Sequence, residues 1–180
     1  MHQSKTTLSE KIRKLSNDIN YFIETKVIDS NRVKNYEDAI KIAKSFRQEW
    51  ALNNKIKPFE ALIIFSAYNA TYHALCGIEK TLKIGIACGD NPTSAERVQP
   101  VFNTILELAN ELDFFNEEFS EGRHSQTSID SLKQKTETVY LAGRSAKILP
   151  TLKEEIKQLG AKRLEEVSDK LYKSTAGVVG

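Results

Sequence analysis

The chain is short of several things at once. Among its 180 residues there are two cysteines, one methionine, one tryptophan, four prolines and eight glycines. Cys76 and Cys88 stand twelve residues apart with no C-x-x-C pair. Two reduced thiols are therefore expected, rather than a disulfide framework or a cysteine zinc site. The glycines form no G-x-x-x-x-G-K-[ST] or G-x-G-x-x-G loop, and no G-x-S-x-G elbow occurs. That removes the phosphate-loop, dinucleotide-fold and nucleophile-elbow hydrolase classes. Nowhere do 18 apolar residues run together, and the opening "MHQSKTTLSEK" has no continuous apolar core of a signal sequence. The expectation is a cytoplasmic chain without a membrane span. Charge of one sign is missing too, since 26 Lys and Arg face 24 Asp and Glu for a net +2. With no strong global field, contact with RNA or another polyanion must come from a local patch.

What the sequence has in quantity is helical period. Thr7 and Glu10 make a T-x-x-E capping box, followed by Leu8, Ile12, Leu15, Ile19 and Phe22 at 4-3-4-3 spacing. This predicts a first helix over 8–25. Tyr36, Ala39, Ala43, Phe46 and Trp50 form a second stripe that ends near "LNNK". Pro58 suits the first position of a third helix, which runs to the region of Gly85 and Gly89. After the turn cluster "IACGDNP", Thr93 and Glu96 predict a capping box for a fourth helix bearing Val98, Val101, Phe102, Ile105, Leu108, Ala109 and Leu112. Pro100 offers an alternative start for it. Thr127 and Asp130 are expected to cap a fifth helix with Ile129, Leu132, Thr136, Val139, Gly143 and Ala146. Pro150 breaks that pattern, and a charged helix over 151–173 precedes a frayed "TAGVVG" tail. There is no β-type alternation and no internal repeat. The expected fold is all-α, an antiparallel helical bundle of five to six helices in a single domain spanning 1–180.

The segment "FSAYNATYHALCGIEK" carries Tyr68, Asn69, Tyr72 and His73 within two turns of the most apolar helix. Buried, these groups must hydrogen-bond, because an unpaired one costs about 1–3 kcal/mol. Two readings follow: a polar network that fixes the register of the bundle, or a binding pocket beside the central helix. On the same helix Ser66, Ala70, Ala74 and Gly77 form a stripe of small residues that lets a neighbour approach closely. His73 is expected inside the protein and His124 on an exposed loop.

Arg123 and His124, adjacent in "EGRHSQ", are the candidate catalytic pair. An imidazole can move the 2′-hydroxyl proton of RNA while a guanidinium steadies the phosphorane charge, with no metal and with a second copy across a dimer completing the site. The other reading is an exposed basic pair beside acids. Those acids, Asp113, Glu117, Glu118 and Glu121, lack the repeated Glu-x-x-His of helical metal bundles, so no metal and no cofactor is expected. The lysine-bearing stretches "EKTLK", "SLKQK" and "LGAKR" alternate with acids and read as solvated faces.

The pattern "SAYNATYHAL", Ser66 to Leu75, resembles the central helix of the HEPN family. A turn-rich linker, a helix at "TSAERVQPVFNTI", a loop with Arg123 where such domains carry an arginine, and a closing helix at "SIDSLKQKTETVYLAGRSAKIL" follow in similar order. The resemblance covers about residues 36–158. It implies an antiparallel bundle that forms a homodimer and binds RNA or nucleotide, or accompanies a nucleotidyltransferase-type partner in toxin–antitoxin and defence systems. The ribonuclease members share an Arg-x4–6-His motif, and no arginine stands at that distance before His73 or His124. The toxin-type His-x-Tyr ending is absent as well. A non-catalytic or weakly catalytic binding module is therefore expected. The alternatives are a metal-independent ribonuclease using Arg123 and His124, and a helical protein-interaction or inhibitor protein.

Overall fold

A computed structural model describes residues 7–51, 53–89 and 91–148. Six helices follow one another: α1 (Leu8–Thr25), α2 (Ser30–Val33), α3 (Tyr36–Ala51), α4 (Pro58–Cys88), α5 (Asn91–Ser120) and α6 (Gln126–Ser145). No strand occurs among the described residues. Consecutive long helices joined by short connections pack as antiparallel neighbours, α3 on α4, α4 on α5 and α5 on α6. The fold is an all-α helical bundle. α4 is its centre, touching α2, α3, α5 and α6, while α1 lies against α5 and α3.

α1 forms where its period says it should. The Thr7 hydroxyl accepts the Glu10 N–H at 3.2 Å, and Leu8, Ile12, Leu15, Ile19 and Phe22 are all buried. Its start is held from outside too, since the Ser9 N–H donates to Asp113 of α5 at 2.9 Å. In "DSNR" the turn tightens into α2, capped by Asp29. From there Arg32 and Asn35 reach back to the buried Asp18 at 2.9 and 3.0 Å.

Two starts differ from expectation. α5 begins at Asn91, so Thr93 and Glu96 lie within its first turns rather than capping it. The same helix runs through Pro100, which sits on an exposed face. The Glu96 carbonyl that the ring deprives of a partner can meet water there. α6 is capped by Ser125, not by Thr127. Ser125 Oγ accepts the Ser128 N–H at 3.3 Å and Ser128 Oγ accepts the Ser125 N–H at 3.0 Å. This is a capping box with serine in the place usually taken by glutamate. Asp130 instead accepts from Gln126 at 2.9 Å.

α4 satisfies the composition of a membrane-crossing helix, with mean hydropathy 1.2 over its most apolar 18 residues, but 67% of that window is buried inside the chain. Its small-residue stripe is likewise used internally. Ala70 and Ala74 are fully buried, and a Cβ on Gly77 would meet the Ile148 carbonyl oxygen at 3.0 Å. At Gly85 a Cβ would come within 2.7 Å of the Ser94 Cβ, so the bare helix surface admits the start of α5. The stripe is thus occupied within one chain, and a homodimer would need a different face. The charged helix expected over 151–173 lies outside the described residues.

Candidate functional site

The four polar residues of the central helix part company. Tyr68 is fully buried, its ring stacked on Phe46 at 5.0 Å and 9°, and its hydroxyl accepts from Asn116 of α5. Burial lifts its phenol well above the usual range, with the Asn116 bond opposing and Asp113 and Glu49 adding to the rise. Asn69 faces α3, where its carbonyl oxygen accepts from Arg47 Nη1 at 2.9 Å. Arg47 is 1% exposed, and its guanidinium lies 4.5 Å from the centroid of the Tyr72 ring. Tyr72 and His73 are half-buried, ring to ring at 5.1 Å. The Tyr72 phenol is raised first by burial and then by Cys76, while Arg47 pulls it down.

Arg47 is the residue that sequence reasoning missed. Tyr36, Ala39, Ala43, Arg47 and Trp50 are buried along α3, with Ala51 at its end, and the first five are spaced 3-4-4-3, so a charged side chain occupies a slot of the apolar stripe. Phe46, which the sequence reading placed in that stripe, is only half-buried. A buried guanidinium needs hydrogen-bond acceptors and ring faces around it. Asn69 and Tyr72 supply one of each.

Arg123 and His124 also separate. α5 ends in a left-handed Gly122, φ +71°, with the Gly122 N–H on the Phe119 carbonyl at 3.0 Å and the Arg123 N–H on the Glu118 carbonyl at 2.8 Å. This is the Schellman arrangement of a helix end. Past that turn the Arg123 side chain points outward and pairs with Glu121. His124 turns in, lying 5.1 Å from the Phe119 ring and 5.9 Å from Phe115. Both rings also contact Trp50, at 5.2 and 6.0 Å. The expectation of an exposed loop histidine is corrected: His124 is half-buried at the end of an aromatic cluster. Its Nδ1 is shut off from solvent and has no hydrogen-bond partner among the described residues.

His124 lines a cleft of about 390 Å³ together with Lys55, Lys57, Glu60, Ser125 and Gln126. Two segments 69 residues apart in sequence, counted from Lys55 to His124, meet there. α4 opens into this place with Pro58 at its first position and no side-chain cap, leaving the Phe59 and Glu60 amides at its positive end. Ser125 and Gln126, at the start of α6, line it as well. Two lysines against one glutamate give the cleft a positive balance, and helix starts add to it. His73 is not part of it. Thirteen residues of helix separate it from Glu60, about 20 Å at 1.5 Å per residue. Among the described residues no group of three or more His, Cys, Asp or Glu is placed to hold a metal ion.

No family model matches the chain, and neither a curated protein nor a solved structure matches it.

Proposed function

We propose that this chain is a HEPN-like helical module that binds RNA or nucleotide through phosphate, at the cleft between the α3–α4 connection and the start of α6. The observation that carries the reading is the convergence of Lys55, Lys57 and His124 on one opening, where α4 begins uncapped. Lysines, an imidazole and free helix-start amides are the donors that recognise a phosphate. Binding without strong catalysis fits the same geometry. The candidate catalytic pair is split there, since Arg123 leans away from His124 toward Glu121. A nucleotidyltransferase-type partner, a role in toxin–antitoxin or defence systems, a homodimer and a cytoplasmic setting belong to this reading through the resemblance.

Anisotropy of a labelled single-stranded RNA in EDTA tests it. Two or three phosphate contacts give a shallow log–log salt slope, about −0.7 for each on a single strand. The double variant Lys55→Ala/Lys57→Ala should lose most of the binding and reduce the slope by more than one unit. Arg123→Ala should weaken every sequence alike and by less. RNA should stay intact throughout. Rapid cutting abolished by His124→Ala would promote the ribonuclease reading instead, and a complete lack of binding would leave the helical interaction or inhibitor protein.

A further inference from the structure

We infer that residues 151–173, which lie outside the described residues, dock along the face of α4 between α3 and the end of α6. Over 61–78 the residues of α4 that are less than buried are Leu62, Ser66, Tyr72, His73, Cys76 and Gly77. At 100° per residue they share one face about 140° wide. Ile84, 52% exposed, extends that face toward the helix end. At one border the Tyr72 ring lies under Arg47 of α3. At the other, a Cβ on Gly77 would meet the Ile148 carbonyl oxygen at 3.0 Å and the Ile148 Cβ at 3.3 Å. The last described residue is therefore seated on α4 itself.

α6 ends in a Schellman arrangement, with Lys147 left-handed at φ +60°. Its N–H bonds the Arg144 carbonyl at 3.0 Å, and the Ile148 N–H bonds the Gly143 carbonyl at 2.9 Å. α4 and α6 run parallel, since each packs antiparallel to α5. A helix joined to α6 by a few residues then returns down α4, from Ile84 toward Leu62. The sequence beyond the turn suits that path. Leu152, Ile156, Leu159, Leu164, Val167 and Leu171 repeat at 4-3-5-3-4, with Glu154, Gln158, Glu165 and Asp169 on the opposite side. As a helix, 151–173 measures about 34 Å, against about 33 Å from Leu62 to Ile84. An apolar stripe of that length matches the face in extent. On this inference the surface bearing Tyr72 and His73 receives the chain's own segment, and is closed to a ligand.

Disulfide trapping in the full chain tests it. In a Cys88→Ser background Cys76 is the remaining native thiol. Leu152→Cys, Ile156→Cys and Leu159→Cys each place a second thiol in the apolar stripe, and Glu154→Cys and Gln158→Cys place one opposite. In dilute solution under a mild oxidant, at least one stripe variant should close an intramolecular disulfide with Cys76, read by mass spectrometry of the unreduced monomer. The opposite-side variants should not. Closure by both sets alike overturns the docking. Closure by neither overturns it too and leaves the face to a ligand or a foreign partner. A disulfide-linked dimer overturns it and gives the face to a second copy. Alkylation of Cys76 in the same background needs no added thiol. Ile156→Asp/Leu159→Asp should speed it by at least about tenfold, because two carboxylates resist burial against α4, and Gln158→Asp should keep the parent rate. An unchanged rate in the stripe variant overturns the inference. Should that variant fail to fold, the trapping alone decides.

Discussion

The middle of α4 and its first turn both gather a cation, aromatic rings and a histidine, yet they are built in opposite ways. In the middle, Arg47 is buried to 1% exposure, hydrogen-bonded to Asn69 and laid over Tyr72. Tyr68 beside it is stacked and bonded within the bundle. At the first turn Lys55 and Lys57 are exposed, the helix start has no side-chain cap, and His124 lines the cleft beside them. Polar groups that find partners inside fix the packing of helices and have little left to offer a ligand. Those at the open end contribute little to stability and keep their capacity to bind. The first reading of the central segment, a network that sets register, describes Tyr68 and Asn69; the cleft proposed for binding lies about 20 Å along the helix from His73.

Breaking the closed region should cost most. Arg47→Ala strips Asn69 of a buried charged donor and removes a packed hydrocarbon stem, a loss of about 3 kcal/mol in denaturant unfolding. A loss under about 1 kcal/mol would mean that the interior arginine holds nothing together. Gly85→Ala should destabilise by about 1–3 kcal/mol, because the new methyl must push Ser94 aside. Tyr68→Phe should cost about 1 kcal/mol, the usual value of one internal hydrogen bond.

Tyr68 also carries a pH signature. Its phenol, like that of Tyr36, is raised in the folded chain chiefly by burial. The stability tied to this is fully present below the unfolded value near 10.0 and is lost as pH rises above it. Tyr68→Phe should therefore flatten the alkaline decline in melting temperature, and the double variant with Tyr36→Phe should flatten it further. Unchanged alkaline profiles would show that neither phenol is closed off.

The open region sharpens the comparison from the other side. His124→Leu removes an orphaned nitrogen while keeping contact with Phe115 and Phe119, so stability should stay within about 1 kcal/mol or rise, while RNA binding falls. Lys55→Ala and Lys57→Ala should each shift stability by less than about 0.5 kcal/mol. A large thermal shift at either lysine would erase the distinction between the two regions.

The fold was legible because its signals are local. Leu8, Ile12, Leu15, Ile19 and Phe22 repeat at helical spacing, and Pro58 marks a start that the structure keeps. The start of α6 was misplaced because Ser128 does the work of a glutamate in the cap. Pro100 reads as a boundary but is tolerated where its orphaned carbonyl faces water. Arg47 escaped notice since charge normally argues for the surface, although its spacing argued for the core. The cleft was not legible at all. Lys55 and His124 are brought together by the packing of helices, and no nearby residue pattern announces a contact across 69 positions.

Hydrogen–deuterium exchange with and without a saturating single-stranded RNA tests the central claim most directly. The account predicts new protection at 55–60 and 123–126, with the 68–76 segment already slow to exchange and unchanged by ligand. Protection centred on 68–76, with the two cleft segments unaffected, would contradict it and return the binding site to the middle of the central helix.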